Sequence, residues 1–102
     1  LCTPDGFNLC SLGLTEDQVG KMAALSSSLI SVGDATVNSL AQADLPTSAL
    51  DMLTMEANGL QIVSVKIPRS TGYLILMACA AAPLGVVLVG VKATVSELRK
   101  LL

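Results

Sequence analysis

The sequence predicts a layered α/β (α+β) domain, in which a long central helix and a C-terminal helix pack an antiparallel sheet. Three observations carry this: a helix-opening motif at Thr15–Gln18 with a long helical run behind it, an Asn58-Gly59 hairpin signal, and a helical apolar repeat after Pro83. With 102 residues the chain, 1–102, is a single domain that can bury roughly 60–65% of the surface its unfolded form exposes.

Residues 1–14 read as the end of one strand, a turn at Pro4-Asp5-Gly6 and a second strand. Proline presets φ for the turn, and Asp-Gly tolerates positive φ. Phe7 and Leu9 alternate with Asn8 and Cys10, which gives the second strand a more apolar face. The chain opens on strand-like residues at Leu1 rather than at Met, so an upstream segment is expected to precede it.

Thr15, Glu16, Asp17 and Gln18 form a capping box with acids in the first turn. The helix behind it is expected to run about 28 residues, to Ala43, because Pro46 disfavours helix at Leu45. Such a helix is about 40 Å long and organises the domain. Val19, Met22, Ser26, Leu29, Ile30, Gly33, Val37 and Leu40 share one stripe, with Ala23 on its edge. Leu25, Val32 and Thr36 widen it, so the apolar arc covers about half the cylinder, more than one sheet contact requires. The remaining face, including Ser27, Ser31, Asn38 and Ser39, is polar but nearly uncharged. Either this is a wide core stripe with a neutral solvent face, or the helix packs on its own sheet and on a second copy of itself. Composition does not separate the two.

Residues 50–56 and 60–67 alternate around Asn58-Gly59, the signal for a two-residue type I′ hairpin. A turn over Pro68–Gly72 leads to a third strand, 73–79, giving an antiparallel meander packed by Met52, Met55 and Met77. From Thr71 to Val91 no residue is charged. That run reaches transmembrane length, but Pro83 and Gly85 interrupt it and its flanking charges give no orienting asymmetry. Leu84, Val87, Leu88, Val91, Val95, Leu98 and Leu102 instead hold one helical register, with Pro83 placed for N1 and Arg99 and Lys100 in the last turn. Val86 and Val89 fall outside that stripe and need a cover.

Composition excludes several functions. Apolar residues make up 52% and charged residues 14%, well below the usual ~25% charged, so some apolar surface is expected to meet another protein or a membrane. A net charge of −2 with scattered Lys and Arg offers no basic stripe for nucleic acid. Three widely spaced cysteines point to a reduced, cytoplasmic compartment, and without a single histidine neither a metal site nor a Ser-His or Cys-His pair is expected. The glycines form no phosphate loop. No enzyme activity and no cofactor are expected.

The order of these elements resembles the roadblock/dynein light-chain domain family. The likeness is carried by Thr3-Pro4-Asp5-Gly6 with Leu9–Leu14, the Ala/Ser-rich helix 15–43, the strands around Glu56–Leu60, and strand 73–79 passing into the helix that ends Leu98–Leu102. The resemblance implies a profilin-like layered fold with one five-stranded antiparallel sheet, whose N-terminal helix and most of whose first strand would lie upstream of Leu1. It also implies homodimers in which long helices pair and sheets can join edge to edge. Prokaryotic members regulate or scaffold a small Ras-like GTPase of the gliding-motility type, and eukaryotic members serve as dynein light chains or scaffolds for small GTPases. The expected function is therefore a non-catalytic domain that dimerises and regulates a Ras-like GTPase by holding that protein's own groups in place. Its alternatives are a structural light chain or scaffold without effect on GTP turnover, and a small-molecule sensor. Few aromatic and polar groups are available to line a sensor's pocket. The candidate interface residues on the central helix are Met22, Ala23, Ser26, Ser27, Ile30, Ser31, Gly33, Val37 and Asn38. Gly33→Glu, a charge in mid-stripe, is expected to abolish self-association.

Overall fold

The computed structural model describes residues 1–40 and 50–102. Its elements are α1 (Glu16–Leu40), β1 (Met52–Ala57), β2 (Leu60–Arg69), β3 (Gly72–Ala80) and α2 (Leu84–Leu101). The expected helix end near Ala43 and Pro46 lies outside the described residues.

The capping box forms as its residues dictate. Gln18 N–H donates to Thr15 Oγ1 (3.2 Å), and Thr15 N–H donates to Gln18 Oε1 (2.9 Å). Two amides that the helix leaves without partners are thereby satisfied. Thr15→Ala removes one of these bonds and is expected to lower stability by about 0.5–2 kcal/mol, read by thermal or urea unfolding.

β1, β2 and β3 form an antiparallel sheet in that order. Asn58 (φ 49°) and Gly59 (φ 81°) turn the first hairpin, both left-handed as type I′ requires. The second hairpin is tighter than expected. Pro68 and Arg69 stay in β2, paired with Tyr73 and Gly72, because a proline at a strand end forfeits little of the ladder.

The five strands expected are corrected to three. The N-terminal segment adds isolated bridges only, Cys2 to Ile75 and Cys2 to Asn8. The turn between them is tight: Gly6 (φ 92°) donates its N–H to Thr3 O at 3.1 Å, and Thr3 N–H reaches Phe7 O at 2.9 Å. Cys2 thus lies beside β3 and Asn8 beside Cys2, each through one bridge. The apolar face expected for the strand after the turn is not buried, since Phe7 is 68% and Leu9 52% exposed.

The two helices take opposite faces of the sheet. Ala23 and Ile30 of α1 pack with Cys2 and Ile75, joined by Leu50 and Tyr73. Val87 and Val91 of α2 pack on Val63, with Met52, Val65, Leu76 and Val95 around them. Alternation along the strands enforces this split: Val63, Val65 and Ile67 point one way, Ser64 and Lys66 the other. The small residues of α1 let it sit close. Gly33 lies against Leu50, whose side chain a Cβ at that position would overlap.

The helical register of α2 wins over its local strand-like composition, with Val87 and Val91 buried and Leu88, Val95 and Leu98 half-buried. Pro83 is its N-cap rather than N1, at φ −57° and ψ 144°. Its carbonyl accepts from Val86 and Val87 at 3.0 and 3.2 Å. Val86 and Val89, which needed a cover, stand exposed. Among the described residues, no helix is long and apolar enough to cross a membrane.

Candidate functional site

α1 presents two different surfaces, and the candidate interface residues divide between them. Ala23, Ser26 and Ile30 are buried on the chain's own sheet. There the Ser26 hydroxyl donates to Met77 Sδ at 3.4 Å. Gly33 faces Leu50, so Gly33→Glu would strike the fold of a single chain before any contact between chains. Met22, Ser27 and Val37 are half-buried, while Ser31 and Asn38 are exposed.

A second seam runs along the outer side of the helix. Leu25 (52% exposed), Ser28, Val32 (65%), Ala35 and Ser39 recur at steps of three and four residues, the spacing that places side chains in one line on a helix. Hydroxyls along it turn back on the helix: Thr36 Oγ1 donates to Val32 O and Ser39 Oγ to Ala35 O, both at 2.8 Å. These groups therefore offer a partner little free donor capacity. Leu25, Val32 and Thr36 already stood out in the sequence as the widening of the stripe. What periodicity did not show is that they form a separate line with the small residues beside them, because Ser and Ala contribute little hydrophobic signal.

The seam's own residues are uncharged, and the one charge nearby points away from it. Between Met22 and Leu40 the helix has one charged residue, Asp34, and it turns inward. Lys66 Nζ donates to Asp34 Oδ1 and Oδ2 at 2.7 and 2.8 Å, and Leu50 N–H donates to Oδ1 at 2.8 Å. Lys66 also lies over the Tyr73 ring, 4.6 Å from its centroid, a favourable cation–π distance. Burial pulls the Asp34 pKa up, but the Lys66 and Leu50 hydrogen bonds and the Lys66 charge outweigh it and hold the carboxyl below its ordinary value. This clamp ties α1 to β2 and to the segment entering β1.

The rest of the molecule offers little chemistry. Among the described residues, no three His, Cys, Asp or Glu side chains are grouped to hold a metal. Cys2 is a buried thiol whose pKa burial raises, which makes it a poor nucleophile. Among the described residues β1 pairs only with β2 and forms one edge of the sheet.

A sheet with one helix on each face is a fold that a solved structure shares. The structure superposes on the crystal structure of a Roadblock/LC7 domain from Streptomyces avermitilis with a TM-score of 0.74, covering 97% of this chain and 78% of that one at 22% identity. At that identity the likeness is one of fold. No protein-family model matches the sequence, and no curated protein matches it.

Proposed function

We propose that this chain is a non-catalytic interaction domain that pairs with a second copy through the outer seam of α1 and binds a small Ras-like GTPase. One observation supports the pairing above the others: α1 exposes Leu25, Val32 and Leu40 along a helix whose only charged side chain past Lys21 is turned inward. A helix face left to solvent ordinarily carries charges, and an apolar one marks a contact. Small residues between the apolar ones let two backbones approach closely. The β1 edge gives the two sheets a place to join.

In this reading Leu25, Ser28, Val32, Ala35 and Ser39, with Ser31 and Asn38 flanking them, face the second copy, while Ala23, Ser26 and Ile30 hold the sheet. The GTPase rests on the family resemblance described above. No residue of this chain enters its active site, and any effect on turnover comes from ordering the partner's own catalytic groups.

The experiment is to purify the chain with its bound partner and follow GTP turnover of that partner with and without the domain. A change in turnover at unchanged partner concentration is expected. Binding without any change would establish the scaffold reading, and the absence of a GTPase among bound proteins would remove this part of the proposal.

A further inference from the structure

The two faces of the central strand differ in chemistry. Toward α2, β2 offers Val63, Val65 and Ile67, and Val63 and Ile67 are fully buried. Toward α1, the middle of the same strand offers Ser64 and Lys66. α1 answers with Ser26 and Asp34, and Ile30 is the one large apolar side chain that it buries. The α2 joint therefore rests on apolar burial, while much of the α1 joint is polar.

The polar groups of the α1 joint are unevenly satisfied. The Asp34 carboxylate is held by Lys66 Nζ at 2.7 and 2.8 Å and by Leu50 N–H at 2.8 Å. Ser26 has only the Met77 thioether, a weak acceptor. Ser64 sits directly across the ladder from Met77, and its buried hydroxyl has no hydrogen-bond partner among the described residues. A hydroxyl in that position loses its bonds to water without replacing them, which penalises the closed joint. The Asp34 clamp acts in the opposite direction.

We propose that α1 opens from the sheet as one unit while β1, β2, β3 and α2 stay folded, with the bonds of Asp34 to Lys66 and Leu50 as its latch. Local opening takes the joint that buries the least large apolar surface, and α1 has that joint. The open form is the minor one, so circular dichroism reports the docked helix. A second part rests on the pairing proposed above. A helix that has lifted off no longer presents the outer seam on a folded domain, so pairing of two copies through that seam holds α1 shut by mass action.

The test is amide hydrogen exchange of the full chain, read residue by residue in dilute solution and at tens of micromolar. In dilute solution the amides of α1 past its first turn are expected to exchange about tenfold or more faster than the paired amides of β2 and the middle turns of α2. Asp34→Asn releases the latch and is expected to speed the α1 amides about tenfold. Ser64→Ala removes the orphaned hydroxyl and is expected to slow them several-fold. Val91→Ala weakens the α2 joint, which the open and closed forms share. It is expected to speed the β2 and α2 amides about tenfold and to leave those of α1 unchanged. Amides of α1 that exchange no faster than those of β2 and α2, or that speed up with them in Val91→Ala, would overturn the opening. Concentrating the wild type is expected to slow the α1 amides. A chain that light scattering shows to be dimeric but whose α1 exchange does not slow would overturn the link to pairing, whereas a monomer at that concentration would overturn the pairing itself.

Discussion

Ile30→Ala is expected to lower stability by about 2–5 kcal/mol, measured by urea unfolding. Ile30 is fully buried, packed beneath α1 with Ala23, Cys2 and Ile75. Only three residues of α1 are buried, and the other two are Ala23 and Ser26. Ile30 is thus the one large apolar side chain of α1 that is fully buried. The neighbours that would have to collapse into the vacancy belong to the paired edge of β3 and to a short hairpin, so the cavity is expected to persist and the cost to fall toward the upper part of the range. Val32→Ala, two residues along and 65% exposed, should cost under about 0.5 kcal/mol in a single chain.

The second large effect is expected at Asp34. Asp34→Asn keeps the shape but removes the charge from a carboxylate that accepts from Lys66 and from Leu50 N–H. The Lys66 side chain, 12% exposed, would be left without its counter-charge, and the loss should be about 1–3 kcal/mol. The pH dependence has a definite sign. The folded-state pKa of Asp34 is lowered from an unfolded value near 3.9, so the clamp's contribution is fully present above that value. It is lost as pH falls below about 4 and through the folded-state value. Acid titration should therefore narrow the stability gap between wild type and Asp34→Asn. Pairing Asp34→Asn with Lys66→Met should cost less than the two single losses added, since the partners interact directly. A gap that stays constant from neutral pH to about pH 3 would place the clamp's contribution elsewhere.

The local rules were legible in the sequence. The Thr15–Gln18 box, the Asn58-Gly59 turn and the α2 stripe each depend on residues a few positions apart, and each forms as its chemistry dictates. The stripe of α1 also held, in that Ser26 and Ile30 at its centre are buried. Which contact that stripe serves was not legible. Periodicity gives a face but not its occupant, and the contact found is the chain's own sheet. The Asp34–Lys66 clamp spans 32 residues, and no local pattern announces a pair that only the docking of α1 on β2 brings together. Helical spacing alone does not say whether Asp34 faces solvent or the sheet. At the N-terminus the turn residues were read correctly. Their consequence was not: the segment they turn pairs through isolated bridges at Cys2, not through named strands.

The surface of α1 remains the centre of the account, and Val32→Glu tests it most directly. The position is 65% exposed in a single chain, but a glutamate would place an unpaired charge in the middle of a helix–helix contact. Light scattering on the wild type at tens of micromolar should give twice the mass of one chain. The Val32→Glu protein should give the mass of one chain, with unchanged far-ultraviolet circular dichroism. A monomeric wild type, or a Val32→Glu protein that stays dimeric, would contradict the claim that the outer seam of α1 is where two copies meet.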